Sequence, residues 1–204
     1  MTAPRLGELV RDFAASLRRV DRGRPIWRSS RSGIEYLPGI GPYPETEAVR
    51  LIAADLMVSK PIYASLRLGV PYPASPRQRC DIVLGDPATW AVEVKLLRLL
   101  GDNGKPNDNM LMHVLSPYPA HRSALTDVEK LARSGFDARH AVLIYGFDYD
   151  DWPMDPAIEA FELLAKHGLA AAGRAEAEFA GLSHPVQQRG RVFAWEVLCR
   201  TQPR

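Results

Sequence analysis

Two cysteines, Cys80 and Cys199, with no CxxC pair, leave nothing to build a disulfide framework or a zinc ribbon. Both lie among apolar, strand-like neighbours and are expected to be buried thiols rather than nucleophiles. No stretch approaches the ~20 consecutive apolar residues of a membrane span, and the N-terminus lacks the apolar core of a secretory signal. The cytoplasm is the expected compartment. HExxH, GxSxG and a GxGxxG following a strand are all missing, and the five histidines are scattered. Gly101 to Asn109 contains Gly-Lys, but Pro106 follows Lys105 where a phosphate-binding P-loop requires Ser or Thr. Asp148, Asp150, Asp151 and Asp155 do not make an EF-hand, because Pro153 stands where its loop needs Gly.

What remains is enough for one core. At 46% hydrophobic, 204 residues are expected to form one domain spanning 1–204. The formal net charge is only +2, but the charge is uneven. Arg5, Arg11, Arg18, Arg19, Arg22, Arg24, Arg28 and Arg31 face only Glu8, Asp12, Asp21 and Glu35 within residues 1–36. Residues 1–41 read as a basic N-terminal helix and arm, able to meet phosphate or simply to stay wet.

Apolar spacing of three and four predicts helices over Arg5–Val20, Glu45–Val58, Ser123–Ser134 and Pro156–His167. Strands are expected around Tyr63–Leu68, over Arg139–Gly146 and over Arg191–Cys199. The alanine-rich stretch 169–181 is expected to be helical in part. Asp21–Gly41, with Trp27 and Tyr36, is a linker or an arm that lies on a polyanion.

The centre of the chain is Arg79 to Lys95. Cys80–Leu84 is a short apolar strand, Gly85, Asp86 and Pro87 break it, and Trp90–Leu96 alternates with period two. Trp90, Val92, Val94 and Leu96 face one way, Ala91, Glu93 and Lys95 the other. A loop of Gly85–Thr89 pairs Leu84 with Trp90 and sets Asp81 opposite Glu93, with Cβ atoms ~4.5–5.5 Å apart. Two such carboxylates repel each other unless a cation lies between them. A plainer reading stands beside this one: Glu93 and Lys95 solvated on the open sheet face of an unrelated α/β protein.

Asp81, then Glu93-Val94-Lys95 on the next strand, resembles the PD-(D/E)xK nuclease superfamily, with Cys80 where the pattern has proline. The resemblance covers roughly residues 44–146. It implies an α/β, restriction-endonuclease-like fold with an α-β-β-α-β core, a mixed sheet flanked by helices. It further implies Mg²⁺ (or Mn²⁺) held by Asp81, Glu93 and the Val94 carbonyl, with Lys95 orienting or helping to deprotonate water. The helix before the hairpin often adds a carboxylate: Glu47 is the first candidate, because Leu51, Ala54 and Val58 share its face, and Glu45 the second. Arg79 and Arg122 are candidates for holding nucleic acid; Arg122 and Lys130 both lie near the helix predicted over Ser123–Ser134. The implied activity is metal-dependent endonucleolytic hydrolysis of nucleic acid, DNA favoured, by a monomer, a homodimer or a partnered chain. The alternative is a nuclease-like fold that no longer cuts and serves as a nucleic-acid-binding or structural subunit.

Overall fold

A computed structural model describes residues 3–171 and 173–199. Helices α1 (Leu6–Arg22) and α2 (Glu45–Ser59) precede strands β1 (Arg67–Tyr72), β2 (Ser75–Leu84) and β3 (Trp90–Leu97). Then follow the short α3 (Met112–Leu115), α4 (Ala124–Ala132), β4 (Arg139–Phe147), α5 (Asp155–Ala165), β5 (Ala175–Ala180) and β6 (Arg189–Val197). The strands form one six-stranded sheet in the order β1-β2-β3-β4-β6-β5. Among the described residues only β3 and β4 pair in parallel; the other neighbours are antiparallel. Among the described residues no helix is long and apolar enough to cross a membrane.

Helices cover both faces. Leu9, Val10, Phe13 and Leu17 of α1 and Ala48, Val49, Ile52 and Leu56 of α2 pack on one face, against Trp90, Val92, Val94 and Leu96. Ala124, Val128 and Leu131 of α4 and Ile158 and Phe161 of α5 pack on the other, against Ala91, Leu97, Val142 and Ile144. The period-two assignment of β3 therefore holds. A strand covered on both faces should read as nearly continuous apolar sequence, and all 8 residues of β3 are buried. That removes the solvated Glu-x-Lys face: Glu93 is 1% exposed and Lys95 7%.

Three expectations are corrected. Pro61–Tyr63 is a 3-10 turn rather than a strand start, because the Tyr63 hydroxyl reaches back to Asp12 at 2.9 Å. The strand begins later, at Arg67, and as β1 lies at the sheet edge, where Pro71 costs no ladder bond. The stretch 169–181 holds strand β5, not helix. Glu176 and Glu178 alternate outward with Ala177 and Phe179, and Gly173 and Gly181, at φ +75° and +74°, bracket the strand. Period-two patterning outweighs alanine's helix preference there. Cys199 is exposed, because β6 ends at Val197; its Sγ lies 3.1 Å from His140 Nδ1.

The N-terminal segment is tied to the core. Phe13 packs on Tyr145 with ring centroids 5.4 Å apart. The buried Asp21 carboxylate accepts the Ile40 and Ser183 backbone N–H groups at 2.9 and 2.7 Å. Arg22, Arg24, Arg28 and Arg31 stay exposed.

Candidate functional site

The hairpin register is the expected one: Leu84 pairs with Trp90, Val83 with Ala91 and Ile82 with Val92. One residue further the ladder opens. The Val94 N–H donates to Asp81 Oδ2 at 2.8 Å. Cys80 and Val83, three residues apart, both join the core layer beneath α4, so strand alternation slips between them. On β1, Gly69 lies between the pairs Leu68–Ile82 and Val70–Cys80 with φ +60°, a left-handed conformation suited to glycine. The β2–β3 pairing stops at Ile82–Val92, and beyond it the Asp81 carboxylate, holding the Val94 N–H, stands close enough to the neighbouring Glu93 for its charge to act on that carboxyl.

Around that pair lies a buried network. Glu93 Oε1 accepts the Tyr72 hydroxyl in a short hydrogen bond and stands 2.8 Å from Lys130 Nζ. Lys95 Nζ is 2.7 Å from Asp127 Oδ2, 3.7 Å from Glu45 Oε1 and 3.2 Å from the Val94 carbonyl. Asp127 also pairs with Lys130 at 2.8 Å, bridging the two ammoniums. Glu45 Oε2 accepts the Leu96 N–H at 2.6 Å. Four carboxylates against two ammoniums leave an excess of negative charge once all are ionised.

Burial pushes the Glu93 carboxyl well above its ordinary range; Asp127 and Asp81 push the same way, and Lys130 only partly opposes them. Burial alone would lower the Lys95 pKa, but Asp127 and Glu45 overcome it and hold the ammonium charged. Burial, then the charges of Glu93 and Asp81, raise the Cys80 thiol, which makes it a poor nucleophile.

The helix carboxylate is Glu45, not Glu47. The buried stripe of α2 is Ala48, Val49, Ile52, Ala53 and Leu56, and Glu45 continues it at a spacing of three, four and seven. Glu47 shares its face with Val58, which is 91% exposed, and it pairs with Arg50 at 2.6 Å. Arg79 is exposed and donates to the Gly69 carbonyl at 2.7 Å, outside the carboxylate network. Arg122 is also exposed, at φ +48°, just before Ser123 caps α4. Neither arginine reaches the network among the described residues.

Asp127 and Tyr72 were not among the expected site residues. Asp127 had a readable signal, since it interrupts the apolar stripe Ala124, Val128, Leu131 at helical spacing. Tyr72 had none, because its strand is short and proline-bearing. Among the described residues no three His, Cys, Asp or Glu side chains converge as a ready cation cage; lysines are interleaved with the acids instead.

Burial raises the Glu45 carboxyl from 4.5 to about 7, against the lowering pull of Lys95 and the Leu96 N–H. A raised carboxyl pKa means that the folded chain binds a proton the unfolded chain has released. The stability that Glu45 contributes is therefore full below pH ~4.5 and is lost as pH rises through about 7. Glu45→Gln keeps the shape and cannot ionise. It should melt with wild type at pH 5 and above it at pH 8; parallel melting curves at both pH values would refute the assignment.

No protein-family model, no curated protein and no solved structure matches this chain.

Proposed function

We propose that the protein is a divalent-metal-dependent nuclease of the PD-(D/E)xK kind, acting on nucleic acid, DNA favoured. The observation that carries the reading is that Asp81 on β2 takes the Val94 N–H at 2.8 Å, which sets its carboxylate against the buried Glu93-Val94-Lys95 segment of β3. Within the order α2, β1, β2, β3, α3, α4 and β4, the antiparallel β2–β3 hairpin followed by the parallel strand β4 is compatible with an α-β-β-α-β core carrying β1 and α3 as additions.

The residues suit Mg²⁺ or Mn²⁺. Four carboxylates, Glu45, Asp81, Glu93 and Asp127, share two ammoniums, and the Val94 carbonyl lies beside Lys95. Mg²⁺ takes one or two carboxylates and keeps its other positions for water and phosphate. Asp81, Glu93 and the Val94 carbonyl would hold it, with Glu45 as the further carboxylate in place of Glu47. Bound there, the cation would act as a Lewis acid and lower the pKa of water. Lys95, locked between Asp127, Glu45 and the Val94 carbonyl, offers a fixed positive charge to a phosphate oxygen. Its pairing with Asp127 means that no reorganisation is needed when charge develops.

One observation favours the non-cutting alternative. Lys130 already neutralises Glu93 at 2.8 Å, as a site retained for structure would do. Incubating plasmid DNA, single-stranded DNA and RNA with Mg²⁺ or Mn²⁺ separates the two. Wild type should cut at least one substrate only when metal is present, and Asp81→Ala should cut none. Equal cleavage by both proteins, or cleavage in excess chelator, would sink the proposal.

A further inference from the structure

We propose that Lys130 is a built-in counter-ion that competes with the divalent cation for Glu93 and so sets the metal affinity of the site. This rests on the metal-dependent reading above. Lys130 Nζ sits 2.8 Å from Glu93 Oε1 and 2.8 Å from Asp127 Oδ1, and 5.4 Å from the centre of the Tyr72 ring. Glu93 Oε1 also accepts the Tyr72 hydroxyl, so both of its lone pairs are engaged while Lys130 stays.

The two ammoniums are not equivalent. The Lys95 side chain is 9% exposed and has three oxygen neighbours, from Asp127, Glu45 and Val94. The Lys130 side chain is 22% exposed and reaches the acids from α4, at the edge of the network. Lys130 is the one that can leave toward solvent. Its departure strands no charge on Asp127, which keeps Lys95 at 2.7 Å. It leaves Glu93 beside Asp81 with its negative charge unopposed, the arrangement a dication relieves. A lysine serves this purpose better than an arginine, since its single point charge on a flexible stem is released more readily than a planar fork.

The test is calorimetric titration of Mn²⁺ into the full chain at pH 8, with wild type, Lys130→Met and Lys130→Arg. Methionine keeps the stem volume and removes the charge. Removing a unit charge a few ångströms from a dication, at an effective dielectric of about 20, should tighten binding about tenfold or more. Lys130→Arg keeps the charge and should bind no tighter than wild type. If wild type binds Mn²⁺ and Lys130→Met binds equally or more weakly, the counter-ion role is overturned while the nuclease reading stands. If none of the three binds, both fall. Should Lys130→Met lose the native near-ultraviolet circular dichroism, Lys130→Gln takes its place with the same expected tightening.

Discussion

Asp127→Ala should be the most destabilising single substitution in the carboxylate network, costing about 3–5 kcal/mol. Asp127 is 2% exposed and is the shared partner of Lys95 and Lys130, at 2.7 and 2.8 Å. Removing it leaves the enclosed Lys95 with only the more distant Glu45 at 3.7 Å and Lys130 with only Glu93, and a poorly compensated buried charge is expensive. For a chain of this size each kcal/mol moves the midpoint by about 2–4 °C, so a fall of roughly 10 °C is expected in a thermal melt. The paired change Asp127→Leu with Lys95→Met removes the enclosed ion pair as a unit and puts apolar groups in its place. Replacing a buried pair in this way is often neutral or stabilising, so the double variant should recover most of the loss. Recovery without activity would show that the pair is kept for function rather than for stability. A double variant as unstable as Asp127→Ala would show instead that the network is structural.

Lys95→Met should have the largest effect on activity of any change that leaves the proposed metal ligands in place. Methionine fills the buried stem and removes only the charge, while Asp127 retains Lys130 as a partner. A preorganised charge aimed at a reacting group is worth about 10²–10³ in rate when deleted, so single-turnover cleavage should slow by at least that factor. Mn²⁺ affinity should not fall, because Lys95 is a cation and not a ligand. Full activity in Lys95→Met would contradict the role given to it here.

The hairpin was legible because its signals are local. Gly85, Asp86 and Pro87 fix where the chain turns, and the alternation from Trp90 to Leu96 fixes which side chains share a face. Register then follows by counting, and it brings Asp81 to Glu93. The helix carboxylate was harder. Glu45 and Glu47 sit two residues apart at a helix start, where either can complement the helix dipole. Their faces are separated only by which apolar stripe turns inward, and α2 is apolar on more than one side: Leu51 and Val58 compete with Ile52 and Leu56. The packing of α1 settles that choice, and α1 is distant in sequence. Asp127 could have been found as an acid within an apolar stripe. Tyr72 could not, because its hydroxyl meets Glu93 only through the pairing of β1 with β2. The strand β5 was hidden by alanine, whose helix preference masks a period of two carried by Glu176, Glu178 and Phe179.

The most direct test of the account is Mn²⁺ binding by wild type and Asp81→Ala, measured by calorimetry on the full chain. Asp81 holds the Val94 N–H at 2.8 Å, so it joins the two strands at the point where the proposed cation would sit. The account predicts that wild type binds Mn²⁺ and that Asp81→Ala binds it at least tenfold more weakly. Equal affinity in the two proteins, or no binding by wild type, would contradict it and leave Asp81, Glu93 and Lys95 as the parts of a buried structural network.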